Sequence, residues 1–127
     1  MKQSVFFLNS RRTVKRLLLP VLLCLLAFSW ARAGEQDDQN KKATVALFEQ
    51  ANILYTQGEL QQAIKQYLSI IDKYGVSAPL LYNLANTYAA AGQVGPAILN
   101  YERARHLAPG DADIQGNLAQ IRKDAGL

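Results

Sequence analysis

The chain has 127 residues, a formal net charge of +4, a half share of hydrophobic residues and one cysteine. That length carries one small domain. The positive charge is unevenly placed: six of the fourteen basic residues lie at or before Arg32, whereas all ten acidic residues follow Gly34. From Gly34 onward eight basic residues face ten acidic ones, which leaves no basic patch for phosphates and excludes nucleic acid as a partner.

The chain opens with a basic stretch to Arg16, the apolar run "LLLPVLLCLLAFSW" of 14 residues, and "ARA" before Gly34. A membrane-spanning helix needs about 20 apolar residues, so residues 1–33 read as a cleavable signal peptide. Ala31 and Ala33 are the small residues at its cleavage site. The segment "SRRTVK" is similar to a twin-arginine export signal, but so apolar a run favours the general secretory route. Cys24 follows Leu23, not the small residue that a lipoprotein cleavage site requires, and so leaves with the signal. The mature chain then has no thiol for disulfides, metal binding or catalysis. The expectation is an exported, periplasmic bacterial protein with no membrane span after cleavage.

Residues 34–43, "GEQDDQNKKA", are polar and lack apolar periodicity, which reads as a flexible linker. Beyond them the sequence repeats with a period of 34 residues. Sliding 44–77 onto 78–111 aligns seven identities: Leu47 with Leu81, Ala51 with Ala85, Asn52 with Asn86, Gly58 with Gly92, Ala63 with Ala97, Ile64 with Ile98, and Tyr67 with Tyr101. Each unit divides at its glycine into a first helix, A, and a second, B. In the second unit helix A is expected over about 78–91, closed by Gly92 in the left-handed conformation. Helix B opens at Gly95-Pro96 and stops before Pro109. The paired alanines keep the A–B crossing small, and Tyr67 and Tyr101 fill the space between hairpins. In residues 112–127, Asp111 is the expected N-cap and Ile114, Leu118 and Ile121 recur at helical spacing. This is a partial third unit or capping helix.

The spacing resembles the tetratricopeptide repeat, in which a large apolar residue, a small one, an aromatic, a glycine, an alanine, an aromatic, an alanine and a proline follow one another. Leu81, Leu84-Ala85, Tyr88, Gly92, Ala97, Tyr101, Ala104 and Pro109 supply that series. The first unit departs from it at Gln50, Ile70 and Gly75. The resemblance implies an all-α fold: a right-handed superhelical stack of antiparallel helix hairpins, with two repeat units and a capping helix. Within the family, "YNLANTYAAAGQVGPAILNYERARHLAPGDADIQGNL" is similar to the repeat portion of the exported proteins of bacterial aerotolerance operons. Those proteins are thought to assemble with membrane proteins carrying von Willebrand type A domains.

Candidate chemistry fails on composition. "DADIQGNLAQIR" echoes the start of a calcium loop at Asp111, Asp113, Gln115 and Gly116, but Arg122 stands where a bidentate glutamate is needed. His106, the one histidine, has no nucleophile or second histidine placed to work with it. "GQVG" has neither a preceding strand nor a lysine to cradle phosphate. The sequence therefore predicts no enzyme, no metal and no cofactor.

The resemblance implies instead that the A helices line a concave groove for a protein partner. It places Phe48, Asn52 and Tyr55 there from the first unit, Tyr82, Asn83 and Asn86 from the second, and Asn117 and Gln120 from the third. Amides both donate and accept, so a row of them suits either a partner's backbone or the bridging of adjacent A helices. Relatives that clamp a terminal carboxylate need basic residues where this sequence has Phe48, Asp113 and Asn117. The expected function is a non-enzymatic adaptor binding a peptide or partner helix in the groove. The alternatives are a structural protein that completes its open third unit with another copy, and an accessory subunit of an envelope assembly complex.

Overall fold

The computed structural model describes residues 34–127; the segment read as a signal peptide, with Ala31 and Ala33, lies outside the described residues. The chain divides into two compact units, Met1–Gln39 and Asn40–Leu127. The described residues are all-α. Helix α1 occupies residues 34–56, and four more follow: α2 (Leu60–Tyr74), α3 (Ala78–Ala90), α4 (Val94–Leu107) and α5 (Ala112–Asp124).

Residues 34–43, expected to be a flexible linker, are helical. Glu, Gln, Lys and Ala are good helix formers. Asp37 and Asp38 each stand four residues before a lysine, Lys41 and Lys42, in the favourable order for side-chain pairing. Apolar periodicity reports burial, and residues 34–42 are exposed throughout, so the helix carries no such signal.

The boundaries of the later helices follow from local chemistry. Gly58 (φ 79°), Gly92 (φ 72°) and Gly126 (φ 73°) adopt the left-handed conformation at 34-residue intervals. Each closes the same turn. The glycine N–H donates to the carbonyl three residues back (Tyr55, Ala89, Lys123), and the following N–H donates five residues back (Leu54, Tyr88, Arg122) at 2.8–2.9 Å. This is the Schellman pattern, which occupies carbonyls that a helix end leaves without partners. Ser77 caps α3, its Oγ accepting from Leu80 N, and Asp111 caps α5, its carboxylate accepting from the N–H groups of Asp113 and Ile114.

Consecutive helices pack on one another, α2 on α3, α3 on α4 and α4 on α5. Ala51, Ala63, Ala85 and Ala97 are fully buried, at 0% exposure, where A and B helices meet. A first cluster joins Ala51, Ala63, Ile64, Tyr67, Ile70, Leu80 and Leu84. The others centre on Ala85, Ala97, Tyr101 and Leu118, and on Leu81, Ala104 and Ile114. Each fully buried leucine contributes about 2–3 kcal/mol of transfer free energy, so α3, with Leu80, Leu81 and Leu84 all buried, is the central element.

Candidate functional site

The repeated asparagines and tyrosines form two hydrogen-bonded groups of one pattern, the first joining α1 to α3 and the second α3 to α5, a series of two steps. In the first step, Asn52 Oδ1 accepts from Tyr67 Oη at 2.6 Å and from Asn83 Nδ2 at 3.0 Å. In the second, Asn86 Oδ1 accepts from Tyr101 Oη at 2.5 Å and from Asn117 Nδ2 at 3.0 Å. The two steps are related by the 34-residue shift at every position. Asn117 Nδ2 also donates to Tyr82 Oη at 3.0 Å.

The bonding fixes which way each amide points. Two donors converge on Asn52 Oδ1 and two on Asn86 Oδ1, so the oxygen of each is held inward and the NH2 group outward. Asn83 and Asn117 use NH2 groups for the series and turn their oxygens free. No buried side-chain nitrogen or oxygen lacks a partner among the described residues. The unused NH2 groups of Asn52 and Asn86 and the unused oxygens of Asn83 and Asn117 are therefore open to solvent.

Tyr67 and Tyr101 anchor the series. Their exposures are 1% and 3%, and burial pushes each phenol up to about 12, because a tyrosinate there would lose its hydration. The Phe48 ring meets Tyr67 edge-on at 6.0 Å, and the Tyr82 ring lies 6.0 Å from that of Tyr101. A cavity of about 220 Å³ opens over the first step, lined by Asn52, Tyr55, Thr56, Tyr67, Asn83 and Asn86. Tyr55 is exposed at its rim.

Of the residues assigned to a groove from sequence, Asn52 is hydrogen-bonded to Asn83, and Asn117 to both Asn86 and Tyr82. Phe48 is half-buried in the first core cluster and reaches the site through Tyr67. Gln120 is not part of the series: it is exposed and donates to Asp124 Oδ1 at 2.8 Å, one turn further along α5. Sequence reasoning gave Tyr67 and Tyr101 a packing role and overlooked their hydroxyls. Each follows its asparagine by fifteen positions in both units, a coupling that the repeat displays. It also overlooked Thr87, fully buried with Oγ1 donating to Asn83 O at 2.7 Å, which steadies the turn that carries Asn83.

Outside this site two ion pairs share one carboxylate. Glu102 accepts from both Arg105 and Arg122, linking α4 to α5. His106 is exposed in the last turn of α4. Among the described residues no cluster of three or more His, Cys, Asp or Glu side chains is placed to hold a metal ion, and no helix is long and apolar enough to cross a membrane. In comparisons with known proteins, the sequence matches no family model and no curated protein.

Proposed function

We propose that the protein is a non-enzymatic, tetratricopeptide-type adaptor that holds an extended segment of a partner protein along the face of α1, α3 and α5. The observation that carries this reading is the orientation of the amides. Every step offers one outward NH2 group (Asn52, Asn86) and one outward carbonyl (Asn83, Asn117), already fixed by internal bonds. A peptide group carries one C=O and one N–H, so a donor and an acceptor per step match an extended backbone whatever its side chains. Fixing them in advance lowers the entropy lost on binding. Tyr55 at the cavity rim supplies apolar surface for a partner side chain. On this reading bridging the helices and binding a partner are two uses of the same amides, one for each end.

The resemblance to exported aerotolerance-operon proteins supports a periplasmic location and a membrane-anchored partner bearing a von Willebrand type A domain. The test uses Asn52→Asp with Asn86→Asp. Aspartate keeps the inward oxygen that accepts from tyrosine and the next asparagine, and exchanges the outward donor for an acceptor. Capture of partners from a periplasmic extract should be lost while the thermal unfolding midpoint stays near wild type. Undiminished capture by this folded variant would show that the amides serve the fold alone.

A further inference from the structure

The 34-residue repeat makes a second surface interpretable, on the side of α5 away from α3. In the second unit Leu81 and Ala85, with exposures of 1% and 0%, and half-buried Tyr88 form the A-helix face beside α4, with Leu84 between them turned to the first cluster. Adding 34 to each position gives Gln115, Leu118, Ala119 and Arg122. All four line one open cleft of about 670 Å³, whose other wall is α4 with Glu102 and Arg105. Ala119 is exposed, although Ala51 and Ala85 at the same place are completely covered by a B helix. The turn at Gly126 repeats those at Gly58 and Gly92, which lead into α2 and α4. The cleft thus has the register of a helix seat.

Its chemistry differs from that of the two filled seats. Leucine has become Gln115 and tyrosine has become Arg122, so the floor is small and apolar only at Leu118 and Ala119. At the rim, the guanidinium groups of Arg105 and Arg122, with side chains 51% and 43% exposed, share the single carboxylate of Glu102. One positive charge is left over. An incoming carboxylate can take either guanidinium without breaking the pairing of Glu102 with the other.

We propose that this cleft receives an amphipathic helix from an acidic protein partner, laid along α5 as α4 lies along α3. The helix presents a small residue to Ala119 and a carboxylate to Arg105 and Arg122. This surface is separate from the amide series, and the proposal stands whether or not that series binds a peptide.

The test uses the full chain and two fluorescently labelled peptides. One is the α4 sequence, Val94–Leu107, which already fills an equivalent seat; the other is the same peptide with Arg103→Glu and Arg105→Glu. Anisotropy should show the acidic peptide binding at least about tenfold more tightly than its parent, with the difference shrinking as salt is raised. Arg122→Glu should abolish that preference. Ala119→Trp, a change at an exposed position that leaves the charges alone, should block the acidic peptide while the unfolding midpoint is unchanged. Equal binding of the two peptides, or binding that survives Ala119→Trp, overturns the proposal. So does a concentration-dependent mass in light scattering that Ala119→Trp abolishes, since the cleft would then belong to a second copy.

Discussion

The role of Asn86 can be measured by comparing three substitutions in one hydrogen-bonded group. Asn86→Ala removes the acceptor of Tyr101 Oη and one of the two acceptors of Asn117 Nδ2. Tyr101 is 3% exposed, and an unsatisfied buried hydroxyl costs about 1–3 kcal/mol. Asn117 is half-exposed and keeps Tyr82 Oη, so its loss is smaller, about 0.5 kcal/mol. Asn86→Ala should therefore destabilise by about 2–3 kcal/mol. Tyr101→Phe takes away the donor and leaves Asn86 Oδ1 still bonded to Asn117, so it should cost only about 0.5–1.5 kcal/mol.

Added to Tyr101→Phe, the alanine substitution orphans no hydroxyl. The double mutant should then be less destabilised than the sum of the singles, by about 1 kcal/mol. Asn86→Asp keeps both accepted bonds and should lie closest to wild type. Urea unfolding followed by far-ultraviolet circular dichroism, with a common slope for all variants, supplies the free energies. If Asn86→Ala costs no more than Tyr101→Phe, or if the two are additive, the tyrosine hydroxyl does not depend on the asparagine and the reasoning fails.

Other expectations concern different parts of the molecule. Tyr67 and Tyr101 are raised to about 12 in the fold, so their contribution is complete below the ordinary tyrosine value of 10.0 and lost as pH rises toward 12. Urea midpoints measured across that window should fall steeply, and Tyr67→Phe should flatten the fall. Ala97→Leu places extra methylenes at a crossing with 0% exposure and should cost about 1–3 kcal/mol in urea unfolding, whereas the same change at exposed Ala119 should cost almost nothing. Asp111→Ala removes the acceptor of two backbone N–H groups and should destabilise by about 1 kcal/mol, with hydrogen exchange speeding up first at Asp113 and Ile114.

Much of this arrangement was legible because the chain states it more than once. Gly92 and Gly58 announce their turns by composition and by period, and the fully buried alanines stand where the repeat sets small residues. Burial of Leu84 and Ala85 beside outward Asn83 and Asn86 follows from helical spacing. Other features were hidden for physical reasons. The helical state of 34–43 depends on backbone propensity and charge order, which apolar periodicity does not register. The tyrosine hydroxyls were missed because an aromatic at a packing position is explained by its ring alone; only the burial of the oxygen demands a partner. Gln120 stays outside the bonded series because sharing a helix face with Asn117 does not decide a bond, and Asp124 four residues on was nearer at hand.

The recurrence of one bond at one offset bears on how such a chain can grow. Asn86 takes its second donor from the residue 31 places later, and Asn52 does the same. If a second copy of residues 78–111 were inserted after Asp111, Asn86 would meet the new copy's counterpart of Asn83. The new counterpart of Asn86 would in turn meet the old Asn117. Every donor and acceptor in the series would again be matched, with no other substitution in the chain. Lengthening by a whole unit is thus a change that the polar interior already accommodates.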